Sequence, residues 1–197
     1  VAALVTWLRD DAIPAGDAGI PIWDRPAADV VAIRFHSGAR TVDVERRGSG
    51  ADAHLWGRET RPVGVPVDTV AADGTPRVRT EEFPGGEVAE TLFERWARLQ
   101  ATRDLGTADA ARRETYALAP APGATVEVRF RDGGSRAFVL GGSVVGGGAR
   151  YVLDTERAHM YVLATGLISP LEGGATTLRL TSPHARTHTG ARSASST

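Results

Sequence analysis

The chain has 197 residues, with 23 basic and 24 acidic side chains, a formal net charge of −1 and 42% hydrophobic residues. A balance this near neutrality gives no whole-chain field to attract nucleic acid or an anionic bilayer, and the length suffices to bury roughly 70% of the surface that the unfolded chain exposes. Every basic residue is arginine and there is no cysteine, which excludes Schiff-base lysine chemistry, a lysine-dependent phosphate loop, disulfides, thiolate nucleophiles and cysteine metal sites.

The chain opens on Val1-Ala2-Ala3-Leu4-Val5-Thr6-Trp7-Leu8, an apolar run ended by Arg9-Asp10-Asp11. Eight residues are too few to span a bilayer, which takes about 20, so residues 1–8 read as the end of a membrane anchor with Trp7 at the interface. Residues 9–28 hold Pro14, Pro21 and Pro26 among glycines and acids. Proline fixes φ and disfavours helix in the residue before it, so this stretch reads as an extended linker, with Ile20, Ile22 and Trp23 available to dock on the domain that follows.

That domain is expected over residues 29–181. Val30–His36 is its first strand, Ser37-Gly38 turns, and Thr41–Arg47 returns with apolar and polar residues alternating. Gly48-Ser49-Gly50 turns again into a third strand, His54–Arg58. Residues 60–86 are rich in Pro and Gly and read as a long surface excursion with one short hairpin, around Val65–Val70 and Arg77–Thr80. Loops of this length tend to be functional. Val88, Leu92, Trp96 and Leu99 then follow helical spacing, with Glu87, Glu90 and Glu94 at the N-terminal side and Arg95, Arg98 and Arg103 at the other, as the helix dipole favours. This helix is expected to stop near Gly106, and a second one to cover Ala108–Tyr116.

A second meander begins after Ala119-Pro120-Ala121-Pro122. Thr125–Arg131 alternates, Asp132-Gly133 is a strong hairpin signal, and Arg136–Leu140 returns. Further strands are expected at Ala149–Asp154 and His159–Ala164, a capping turn at Gly166–Leu171 and a last strand at Thr176–Thr181. Val31–Phe35 with its Ser-Gly turn echoes Val126–Phe130 with its Asp-Gly turn; the sequence leaves open a duplicated hairpin unit or two strand pairs of one sheet. Residues 182–197 have too few apolar side chains to offset the cost of ordering, and disorder is expected there. The fold class is therefore α+β: antiparallel meanders packed against one main helix.

No motif assembles a reaction centre. Gly141–Gly148 lies between two strands rather than before a helix, so it reads as a hairpin loop and not a phosphate cradle; Val145 stands where a nucleophile elbow needs glycine. His184 and His188 have metal-ligand spacing but sit in the tail. His36, His54 and His159 fall on or near strand ends. Asp10-Asp11 and Glu81-Glu82 are adjacent acids, unlike the two separated carboxylates of a glycosidase cleft. Trp56, Trp96 and Phe93 read as core, and Trp23 as the aromatic least committed to it. No catalytic, cofactor-binding or metal-ligating residue is assigned, and no cofactor.

The order of elements resembles a bacterial domain of unknown function, number 4340. The resemblance runs over about residues 29–165. It begins with Asp29-Val30-Val31-Ala32-Ile33 and Val42-Asp43-Val44-Glu45-Arg46, followed by Leu55-Trp56 leading to Pro62. A helix with Ala89-Glu90-Thr91-Leu92 comes next, then Tyr116-Ala117-Leu118-Ala119-Pro120, Leu140-Gly141, and Arg150-Tyr151-Val152 ahead of Met160–Leu163. Residues 63–85 depart from the pattern, being longer than that family's usual link. The resemblance implies a membrane-anchored domain on the periplasmic face of the inner membrane, non-catalytic, and acting as an accessory or scaffold of a membrane complex linked to an ABC transporter. The expected contact residues are Trp23, Pro66, Asp68, Arg77, Arg79 and Phe83. Two other readings stay open: a module binding envelope glycan or a small ligand, with Trp23 and Trp56 lining one cleft, and a hydrolase, which needs histidine, serine and acid side chains to converge.

Overall fold

The computed structural model describes residues 19–63, 77–118 and 123–181. The expected anchor, the first half of the linker, the Val65–Val70 arm and the tail lie outside the described residues. What is described is built on a single nine-stranded sheet in which every neighbouring pair is antiparallel.

The first meander contributes β2 (Val30–Ser37), β3 (Arg40–Arg47), β4 (His54–Pro62) and β5 (Val78–Pro84); the second contributes β8 (Ala124–Phe130), β9 (Ser135–Ser143), β10 (Ala149–Asp154) and β11 (His159–Ala164). Strand β7 (Arg103–Thr107) closes the far edge, and the order is β5-β4-β3-β2-β8-β9-β10-β11-β7. A separate two-residue ladder joins β1 (Ile20–Pro21) to β6 (Gln100–Ala101). Strands β2 and β8 meet at the middle of the sheet with Ile33 opposite Val128, so the two segments that echo each other in sequence lie side by side in opposite directions. A bulge between Val30 and Ala32 interrupts that correspondence.

Alternation fixes the two faces of this sheet, because successive side chains of a strand point to opposite sides. Ile33, Phe35, Val42, Val44, Leu55, Phe83, Val126, Val128, Phe138 and Leu140 form one continuous core with the helices above them. Helix α1 (Glu87–Ala97) brings Ala89, Leu92, Phe93 and Trp96 to that core. Two short helices, α3 (Ser169–Gly173) and α4 (Ala175–Leu178), add Leu171 and Leu178. On the opposite face α2 (Ala110–Thr115) and its flanks cover the β9–β11 end, where Ala108, Leu118, Leu153 and Met160 form a smaller cluster. Asp109 caps α2 by accepting the Arg112 N–H at 2.8 Å.

Four expectations need correction. Residues 60–62 and 81–84, expected in a surface excursion, are sheet, and the expected Arg77–Thr80 arm pairs with β4, with Thr60 opposite Thr80 and Pro62 opposite Val78. The helix from Glu87 stops at Ala97, not near Gly106, because Arg98 leaves helical geometry at φ −111°, ψ 58°. Leu99 still reaches the core, but from an extended segment. The stretch expected as a last strand is α4, and only Arg179 bridges to Gly85. The single main helix becomes four short helices among the described residues. Of the residues expected to dock, Ile22 joins the core and the Trp23 indole donates to the Trp96 carbonyl at 2.7 Å, whereas Ile20 only pairs with Ala101 in the β1–β6 ladder and its side chain stays exposed.

Candidate interaction surface

On the β2–β5 half of the sheet, the face away from α1 carries no helix among the described residues, and its side chains form rows across the strands. The central row runs Glu127, Arg34, Asp43, Arg58, Glu82 over β8, β2, β3, β4 and β5. Its charges alternate in sign, as the strand register requires if neighbours are to attract. Arg34 donates to Asp43 at 2.6 Å. Arg58 donates to Glu82 through Nε at 3.0 Å and Nη2 at 2.7 Å. The next row runs Thr125, His36, Thr41, Thr60, Thr80, with Thr60 and Thr80 hydroxyls 3.1 Å apart and His36 Nδ1 3.2 Å from the Thr41 hydroxyl. On the other side of the charged row, Trp56 lies beneath the Arg47 guanidinium at 5.2 Å and donates to Glu82 at 3.3 Å.

The electrostatics follow from these contacts. Hydrogen bonds from Arg58 and Trp56 hold the Glu82 carboxyl below the usual carboxylate range. The Asp43 hydrogen bond and charge raise Arg34. Arg129 has no polar partner among the described residues and stands exposed beside this ladder. A depression of about 100 Å³ lies between Arg34, Asp43, Arg47, Trp56, Arg58 and Arg129. That is far below the 300–1,000 Å³ typical of small-molecule sites, so the face is a surface and not a pocket.

Of the expected contact residues, Arg77 and Arg79 are exposed at the sheet's β5 edge. Phe83 is 1% exposed and packs in the core, so it is not available to a partner. Its alternation partner on the strand, Glu82, faces out instead. Trp23 is half-buried, edge-on to Phe130 at 5.5 Å and bonded to α1. Pro66 and Asp68 lie outside the described residues. Trp23 sits on the helix-covered face and Trp56 on the open one, so the two do not line a common cleft.

The histidines do not converge. His36 and His54 pair with opposite ends of β3, at Thr41 and Arg47. His159 is on β11, four strands from β2, where Nε2 lies 2.5 Å from Asp104 of β7. Burial pushes the Asp104 carboxyl up, but His159 and the Gly106 N–H together hold it below the usual range. His184 and His188 lie outside the described residues. Among the described residues no three His, Asp or Glu side chains are placed to hold a metal, and no helix is long and apolar enough to cross a membrane. The glycine run ends, as expected, in a hairpin turn: Gly146, Gly147 and Gly148 all have φ between 75° and 92°, a conformation open to glycine.

The sequence signals missed here are positional. The charged row uses residues 82 and 127 with 34, 43 and 58, and only the strand register brings them together. An open cleft of about 420 Å³ is lined by Gly19, Glu94, Arg95, Arg98, Gln100 and Thr102. No family model, no curated protein and no solved structure matches this chain.

Proposed function

We propose that this chain is a non-catalytic, extracytoplasmic accessory or scaffold domain of a membrane-associated complex linked to an ABC transporter, tethered on the periplasmic face of the inner membrane. The observation that carries the reading is the half of the sheet that no helix covers among the described residues. It is a broad, ion-paired face beside an exposed strand edge. Surfaces of this kind suit macromolecular contacts, since rows of paired charges set register and discriminate between partners more than they add affinity. The apolar start of the chain and the resemblance of its sequence motifs to the domain family of unknown function, number 4340, supply the membrane and envelope part of the proposal.

The test is affinity recovery of the full-length protein from detergent-solubilised membranes of its host, read by mass spectrometry. The expected result is co-recovery of ABC-transporter subunits from the membrane fraction. Recovery from the soluble fraction without any membrane protein overturns the proposal.

A further inference from the structure

Strand β5 ends the sheet, and its backbone shows which of its groups are spoken for. The Arg77 carbonyl accepts from Val63 N–H at 3.0 Å, and the Gly85 N–H donates to the Leu55 carbonyl at 2.8 Å, so odd-numbered residues face β4. The Pro84 carbonyl accepts from Leu180 N–H at 2.9 Å, and the Gly86 N–H donates to the Leu178 carbonyl at 2.9 Å, so even-numbered residues face the other way. The β4–β5 register runs without a break from Trp56–Pro84 to Pro62–Val78. The N–H and C=O groups of Val78, Thr80 and Glu82 therefore point to the side of β5 away from β4, beyond the positions that Leu178 and Leu180 pair with. Among the described residues nothing satisfies them. Unpaired edges of this kind accept a further strand.

The side chains around that edge specify what strand it takes. Arg61 and Arg79 are directly opposite each other on the helix side of the ribbon, and Arg77 follows on the same side. All three are exposed and none has an acidic partner among the described residues. Like charges facing across a ladder destabilise it, and an acidic strand alongside removes that repulsion. On the other side Val78 is 52% exposed and Thr80 follows it, a surface that favours β-branched neighbours. We infer that the free edge of β5 binds an extended segment of a partner protein in which acidic residues alternate with valine, isoleucine or threonine. The acids lie beside Arg77 and Arg79, and the branched residues lie beside Val78 and Thr80. This names the kind of contact on which the proposed accessory role rests.

The probe is a ten-residue peptide alternating glutamate with valine, titrated into the full chain while backbone amides are followed by NMR. Binding is expected to protect the amides of Val78, Thr80 and Glu82, and a lysine–valine peptide is expected not to bind. Thr80→Pro removes one outward N–H without touching the bonds to β4 and is expected to weaken binding about tenfold or more. Should that variant fold poorly, Arg79→Glu, an exposed reversal, is expected to weaken it at least as much.

Equal binding of both peptides, or undiminished binding by both variants, overturns the inference. Edge amides already protected in the free chain, with tighter peptide binding once residues 182–197 are removed, assign the edge to the chain's own tail and overturn it too. A dimer abolished by Thr80→Pro assigns it to a second copy, with the same consequence. Membrane partners recovered equally by Thr80→Pro and the unaltered chain sink the edge contact but leave the accessory role. Peptide binding without any membrane partner sinks the accessory role and leaves the edge.

Discussion

On β2, β3 and β4 the same eight- or nine-residue strands present two faces of opposite chemistry. One carries Ile33, Phe35, Val42, Val44 and Leu55, all at most 1% exposed, under α1, α3 and α4. The other carries Arg34, Asp43 and Arg58 in an alternating ladder open to water. The difference is one residue of register, and it separates what holds the fold from what is free to recognise. Burial of aromatic and branched side chains stabilises by kilocalories per residue, whereas exposed ion pairs contribute little and are screened by salt. Substitutions on the two faces should therefore differ sharply.

The largest effect is expected from Phe138→Ala. Phe138 lies 5.7 Å, ring to ring, from both Trp23 and Trp96, so it joins the docked linker to α1. Its loss should cost about 3–5 kcal/mol in a denaturant titration; a cost near zero would mean the covered face is not a packed core. Glu59 comes next. It is 3% exposed, and its carboxylate accepts from Arg40 at 3.0 Å and from the Ala175 N–H at 2.8 Å, tying α4 to the sheet. Glu59→Ala should cost about 2–3 kcal/mol, because Arg40 retains some water, and should speed hydrogen exchange at residues 175–178 first.

Gly57→Ala tests the covered face from the opposite direction, by overfilling. A methyl group there would lie 2.2 Å from the Phe83 ring, and about 1–3 kcal/mol of destabilisation is expected in thermal melts. Arg58→Ala, on the open face, should leave the melting midpoint within error while altering the neighbouring Trp56 environment in fluorescence. A large loss of stability would show that the ladder is structural after all. The smallest effect is a titration. The Glu82 carboxyl has its folded pKa lowered by Arg58 and Trp56, so its contribution is present above the ordinary carboxylate value and is lost as pH falls through the folded one. The Trp56 indole N–H resonance should report a midpoint below the usual glutamate range.

Much of the first face was legible before any coordinates. Val42, Val44, Val126 and Val128 alternate with charged residues, and Asp132-Gly133 marks its hairpin, so β2, β3, β8, β9, β10 and β11 all fall near their expected bounds. The second half of β4 and most of β5 were not legible; only the start of β5 was expected, as the Arg77–Thr80 arm of a short hairpin. Arg61, Pro62, Arg77, Arg79 and Glu81 carry no hydrophobic alternation, because an edge ribbon buries little on either side. The helix boundary at Ala97 failed for a related reason. Leu99 fits the helical stripe, and only the pairing of Gln100–Ala101 with Ile20–Pro21, some eighty residues away in sequence, makes extended chain the better solution there.

The sequence by itself determined the antiparallel meanders, the charge balance, the absence of lysine and cysteine chemistry, and the amphipathic helix from Glu87. These follow from composition and from the period of apolar residues, which are local quantities. The tertiary structure alone decided that β2 lies against β8 and joins the meanders into one sheet, that Glu82 rather than Phe83 faces outward, and that β5 ends the sheet beside three arginines with no acidic partner among the described residues. Those outcomes depend on strand order and register, which arise when distant segments compete to bury the same apolar face.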